Sequence, residues 1–167
     1  MNAFRPTGGP DAVEVGQGKD PLDGRMKPFP EIAKHLHQAG VPWCAVGDEN
    51  YGEGSSREHA AMEPRFRGAR AILARSFARI HETNLKKQGI LALTFADPAT
   101  YDQIEEDDKV SLAGLADLTP DRPVTGSIRK PDGSSVEFAA THTMNGEQIE
   151  WFKAGSALNI IRRKHAS

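Results

Sequence analysis

The sequence has almost no cysteine: Cys44 is the single one among 167 residues. One thiol excludes an internal disulfide. It also excludes a zinc or iron–sulfur site built only from this chain's cysteines, since such sites take about three or four thiolates. The shortage of cysteine is consistent with a reducing compartment.

Long apolar runs and an excess of one charge are also missing. No apolar run approaches the roughly 20 residues of a membrane span, and the first residues lack the apolar stretch of a signal peptide. The chain has 21 basic and 23 acidic residues, for a formal net charge of −2. This balance gives no basic field, so we expect neither nucleic acid nor a membrane as a partner.

Proline and glycine are concentrated at the start of the chain. They predict an irregular N-terminal arm or linker over residues 1–28. Apolar residues make up 38% of the sequence, which is enough for a single folded domain over residues 29–167.

The apolar pattern of the middle of the chain alternates between helix and strand spacing. The expected elements are a helix over 30–39, a strand over 43–46, a helix over about 56–63 that ends near Pro64, a strand over 71–74, a helix over 77–87 and a strand over 90–95. This order favours an α/β layer.

The last third of the chain has a different character. Residues 110–112 predict a short strand, and residues 124–130 and 135–141 flank Pro-Asp-Gly-Ser, which is typical of a β-hairpin turn. The chain is expected to end in a helix from about residue 147 that Gly155 interrupts.

Residues 47–58, Gly-Asp-Glu-Asn-Tyr-Gly-Glu-Gly-Ser-Ser-Arg-Glu, are the segment that most suggests chemistry. They follow a predicted buried strand, and Ser55 to Glu58 fits the capping box of a helix start, where free N–H groups attract anions. Arg57 adds a planar fork for a carboxylate. With Ser55 and Ser56 beside it, the segment predicts a site for a small di- or tricarboxylate.

A purely structural role for this segment stays open. A glycine loop followed by a helix cap is common and usually serves folding alone. A serine that acts as a base needs a strong local positive field, and Arg57 supplies only part of one.

Other candidate residues are interpreted as structural. His59 and His81 are expected to be satisfied by packing, and Cys44 is expected to be inert inside an apolar strand. The acidic run at residues 105–108 lacks the spacing of a calcium loop and is predicted to be a solvated loop.

Several long motifs resemble a known family. Residues 47–61, from Gly-Asp-Glu-Asn-Tyr through Gly-Ser-Ser-Arg-Glu-His-Ala-Ala, resemble the signature of the fourth domain of the aconitase superfamily. Residues 76–89 (Ser-Phe-Ala-Arg-Ile-His-Glu-Thr-Asn-Leu-Lys-Lys-Gln-Gly), 93–98 and 148–159 resemble mitochondrial-type aconitases in particular. The resemblance covers about residues 30–163.

This resemblance implies a three-layer β/β/α swivel domain. It implies a part in the interconversion of citrate and isocitrate through cis-aconitate. By the same resemblance, Ser55 matches the catalytic base, and Ser56 matches a hydrogen-bond donor to a substrate carboxylate. Arg57 matches the arginine that binds substrate and favours the serine alkoxide.

The resemblance also implies that the chain is incomplete as an enzyme. The family's [4Fe-4S] cluster is held by three cysteines in other domains, so we expect no cofactor or metal on this chain. The expected partners are cluster-bearing aconitase large domains or a large subunit, together with a tricarboxylate substrate. The expected location is the mitochondrial matrix, by resemblance, or the cytoplasm.

A second hypothesis is a non-catalytic, stand-alone swivel domain that serves as a structural or regulatory subunit of a larger assembly. It is motivated by the unmatched arm at residues 1–28 and by the absence of cluster-bearing domains from the sequence.

Overall fold

A hairpin and a helix come first among the described residues. The computed structural model describes residues 16–166, so the first 15 residues of the predicted arm lie outside the described residues. Strands β1 (Gln17–Lys19) and β2 (Met26–Pro28) pair antiparallel. Helix α1 (Phe29–Gln38) packs on both strands, with Ile32 and Leu36 buried one turn apart.

The remaining elements follow the predicted order closely. They are β3 (Trp43–Gly47), α2 (His59–Phe66), β4 (Ala69–Ala74), α3 (Arg79–Lys87), β5 (Leu91–Phe95), β6 (Lys109–Ala113), β7 (Val124–Arg129), β8 (Ser135–Thr141), α4 (Gly146–Ala154) and α5 (Ala157–His165). The predicted strands, the hairpin and the helix break at Gly155, whose φ is 90°, are confirmed. The prediction for α2 is partly wrong, because this helix begins at His59 and contains Pro64 instead of ending near it.

One mixed sheet organises the fold. Its strand order is β3-β4-β5-β8-β7-β6, in which β3, β4 and β5 run parallel and the other neighbouring pairs run antiparallel. The predicted α/β fold is confirmed. No helix within residues 16–166 is long and apolar enough to cross a membrane.

Two apolar cores lie on opposite faces of the central parallel strands. Successive side chains of a strand point to opposite faces. Ile72 of β4 accordingly packs in a cluster with Leu85 of α3. Its neighbour Leu73 belongs to a larger cluster with Leu93 of β5 and Phe138 of β8. The parallel strands are therefore fixed on both sides, which holds their ends rigidly.

The prediction of a solvated loop at residues 105–108 is only partly right: Glu105 and Asp107 are exposed, but Asp108 is not. The side chain of Asp108 is fully buried and lies 2.8 Å from Lys130 Nζ of the β7–β8 turn. Asp107 pairs at 2.8 Å with Lys19 of β1. The sequence pattern could not show this, because the lysines that neutralise these carboxylates are distant in sequence.

A second buried carboxylate stabilises the first hairpin. The Asp20 side chain has no exposed surface and lies 2.7 Å from Lys27 Nζ and 2.6 Å from His35 Nδ1. Burial alone would raise the pKa of Asp20, but the hydrogen bonds from Lys27 and His35 outweigh burial and hold that pKa below its ordinary value. The carboxylate therefore joins β1–β2 to α1.

Candidate active site

A glycine loop, residues 48–58, follows β3. It lies at the carboxyl ends of three parallel strands, where open α/β sheets bind their ligands. The Asn50 N–H donates to Ser76 Oγ at 2.9 Å, and Tyr51 pairs with Phe77 in an isolated parallel bridge. The start of the loop is therefore tied to the chain that leaves β4.

Arg75, directly after β4, cross-links this edge of the sheet. Its guanidinium donates to Asp48 at 3.2 Å, to Asp102 at 2.5 Å and to the Pro98 carbonyl at 3.1 Å. The same group lies 4.7 Å from the centre of the Tyr101 ring. Arg75 is fully engaged in structure, so it is not free to bind a ligand.

Gly52 is the position where the loop most needs a glycine. Its φ is 90°, and a Cβ there would lie 2.2 Å from Cγ of His81 on α3. The His81 side chain is buried, burial lowers its pKa, and its Nδ1 has no hydrogen-bond partner within the described chain. His81 therefore has the predicted packing role, because its side chain packs against Gly52 of the glycine loop.

Ser55 takes a different role from the predicted helix cap. Helix α2 begins at His59, and Glu58 is its N-cap residue. Neither Glu58 nor Ser55 caps this helix with a side-chain hydrogen bond. The Ser55 hydroxyl instead accepts a hydrogen bond from the Arg57 N–H at 3.3 Å. The capping-box prediction is wrong because the serine closes a tighter turn, one that spans two residues rather than three.

The structure places the three predicted site residues on one turn. Ser55 is half-buried, whereas Ser56 and Arg57 are exposed. Within residues 16–166 the Arg57 guanidinium has neither an ion pair nor a hydrogen bond. An unpaired arginine fork beside two hydroxyls is suited to a ligand carboxylate.

The described residues offer little for a resident metal or cluster. Cys44 lies in β3, and burial raises the pKa of its thiol, which disfavours the thiolate that ligates iron. The carboxylates of Asp20 and Asp23 lie near His35, but Lys27 Nζ already contacts both at 2.7 and 2.6 Å. The chain therefore does not fit as the holder of an iron–sulfur cluster.

Sequence reasoning missed one supporting surface, which is formed by His81 and Asn84 on one face of α3 and by Gln88 at the C-cap of that helix. Asn84 Nδ2 donates to the Ser56 carbonyl at 3.4 Å, and Gln88 Nε2 donates to Glu58 at 3.2 Å. Residues three and four apart share a helix face, so the spacing was visible in the sequence. Only the fold shows that this face meets the glycine loop.

Comparison with known sequences gives a consistent picture. The profile of the family described as "Aconitase C-terminal domain" matches residues 10–98. The mitochondrial aconitate hydratase of Gracilaria gracilis is 56% identical over 149 residues, which is 89% of this chain and 19% of the relative. The probable mitochondrial aconitate hydratase of Dictyostelium discoideum is 59% identical over 86% of this chain and 19% of the relative. The chain thus spans about a fifth of these relatives' length.

A solved structure supports the fold. The crystal structure of 3-isopropylmalate dehydratase from Methanocaldococcus jannaschii aligns with a TM-score of 0.51 at 22% identity. The alignment covers 85% of this chain and 81% of that one. The similarity therefore extends over both halves of the mixed sheet.

Proposed function

This chain belongs to the aconitase C-terminal domain family, and on that premise we propose that it forms the swivel part of an aconitate hydratase. In this proposal residues 29–167 are the swivel domain, and the preceding segment ends in the β1–β2 hairpin that packs on α1. The reaction is the interconversion of citrate and isocitrate through cis-aconitate. By analogy with relatives named as mitochondrial, the place of action is the mitochondrion.

Ser55 is the proposed base. As an alkoxide it takes a proton from a substrate carbon, and in the reverse direction the hydroxyl returns that proton. The alkoxide needs local positive potential, and the Arg57 N–H, 3.3 Å from Oγ, and the Arg57 charge supply part of it. Ser56 donates to a substrate carboxylate, and Arg57 binds a carboxylate through its fork.

The single observation that carries this proposal is the exposed Arg57, which has no partner among the described residues and adjoins Ser55. Other cations close to acidic groups in the fold, such as Arg75 and Lys130, are paired. An arginine that stays unpaired at the ligand-binding edge of a parallel sheet is available for an anion.

The rest of the enzyme must come from elsewhere. The relatives are about five times as long as this chain, and Cys44 alone cannot ligate a [4Fe-4S] cluster. We therefore assign the cluster, and the other substrate contacts, to partner domains or a partner subunit. The cluster would supply the Lewis acid for the leaving hydroxyl, and this chain would supply the base and carboxylate contacts.

The test is Ser55→Ala in the assembled enzyme. Loss of the base should lower kcat by several orders of magnitude and leave the folded fraction unchanged. Ser135→Ala, an exposed serine at the start of β8, is the matched control and should keep full activity. A loss below about tenfold for Ser55→Ala would reject the base assignment and favour the non-catalytic swivel domain.

A further inference from the structure

One peptide group lies at the centre of the proposed site, the unit that joins Ser56 to Arg57. Its carbonyl oxygen accepts from Asn84 Nδ2 at 3.4 Å. Its N–H donates to Ser55 Oγ at 3.3 Å. Because a peptide unit is planar and rigid, its two ends move together. Asn84 therefore orients the donor that reaches the proposed base.

We propose that Asn84 is the positioning residue of this site, acting on Ser55 through the Ser56–Arg57 peptide. This inference rests on the proposed function, since it concerns the base of that reaction. Hydrogen bonds in a chain polarise one another, so the Asn84 amide makes the Arg57 N–H a stronger donor. A stronger donor favours the alkoxide form of Ser55 over the hydroxyl form.

The surroundings of Asn84 suit this role. Its side chain is only 7% exposed, and the next residue, Leu85, is fully buried and fixes α3 against the sheet. One turn earlier on the same helix face, His81 fills the space under Gly52. The amide donor is thus held by a rigid helix and not by another loop. A neutral amide also keeps its donor at every pH at which the protein folds.

The kinetic test compares Asn84→Asp and Asn84→Ala in the assembled enzyme. Both remove the N–H donor, and the aspartate preserves the side-chain shape. We expect kcat to fall about tenfold or more, less than the roughly 100- to 1000-fold cost of deleting a direct oxyanion donor. KM should change little, and the limb of the pH–rate profile that reports the base should move to higher pH.

Thr83→Ala is the matched control for these variants. Thr83 is the preceding residue on α3, and among the described residues its hydroxyl donates only to the Arg79 carbonyl of its own helix. This variant should keep both the rate and the pH profile. A purely structural role for Asn84 would reduce the folded fraction without moving the pH profile.

A second readout needs no catalysis. In the nuclear magnetic resonance spectrum of this chain, the Arg57 amide proton should shift upfield in Asn84→Ala and stay in place in Thr83→Ala. Folded Asn84 variants with an unmoved Arg57 amide and an unchanged pH profile would overturn the inference.

If Ser55→Ala remains active, the proposed function fails. If Ser55→Ala is inactive while the Asn84 variants behave as wild type, only the role of Asn84 fails.

Discussion

Two charged loops next to strands differ in whether their charges are paired. They are the glycine loop at residues 48–58 and the acidic run at residues 105–108. In the acidic run Asp108 is buried against Lys130, and Asp107 is paired with Lys19. In the glycine loop Arg57 is exposed and unpaired within the described chain. Paired charges link distant parts of the fold, and an unpaired charge at a strand edge is available to a ligand.

The largest contrast is expected from Arg57→Ala in the assembled enzyme. Loss of the fork should lower kcat/KM about 100-fold or more. The free energy of unfolding should change by less than about 0.5 kcal/mol, because the side chain is exposed. Steady-state kinetics and urea unfolding check the two halves of this prediction. Arg129→Ala, an exposed arginine at the end of β7, should alter neither quantity.

A substitution in the acidic run should instead lower the stability of the fold. Asp108→Ala removes the buried partner of Lys130 and is expected to cost about 1–3 kcal/mol of stability, measured by urea unfolding. Glu150→Ala removes an exposed pair with Lys153, at 3.8 Å, and should cost less than about 0.5 kcal/mol. Equal costs for the two variants would show that the run is a solvated loop after all.

The smallest expected effect concerns pH. Burial lowers the pKa of His81, so the unfolded chain binds the proton more tightly than the folded chain does. Below about pH 6.5 this difference favours unfolding, and stability should fall as pH drops from 7 to 5. His81→Leu cannot take up the proton. Over that pH range the melting temperature of the wild type should fall further than that of His81→Leu. Parallel pH profiles for the two proteins would contradict this account.

Local sequence signals predicted much of the fold. The turn of the β7–β8 hairpin was visible as Pro-Asp-Gly-Ser, and Gly133 there has a φ of 89°. The break between α4 and α5 was visible at Gly155 for the same reason, since a positive φ favours glycine. Features specified by two to four neighbouring residues were therefore predictable.

Features that depend on distant partners were not predictable. The segment that forms the β1–β2 hairpin was interpreted as an irregular arm. Its Lys19 pairs with Asp107, which lies 88 residues away in sequence, so no local pattern indicates this contact. Helix α2 contains Pro64, and the adjacent Arg65 is held by the Gly155 carbonyl at 2.9 Å, 90 residues away. For the candidate site, sequence reasoning singled out Ser55, but the pattern alone could not show that Asn84 lies beneath it.

The contacts that support the glycine loop are close together along the chain. Those made by Ser76, Asn84 and Gln88 join residues 26 to 30 apart, whereas the hairpin and α2 contacts join residues 88 and 90 apart. Closing a flexible segment three times as long costs about 1 kcal/mol more in chain entropy. The loop thus forms at a lower entropic cost than the longer-range contacts, and one contiguous stretch, residues 48–88, contains both the loop and the residues that shape it.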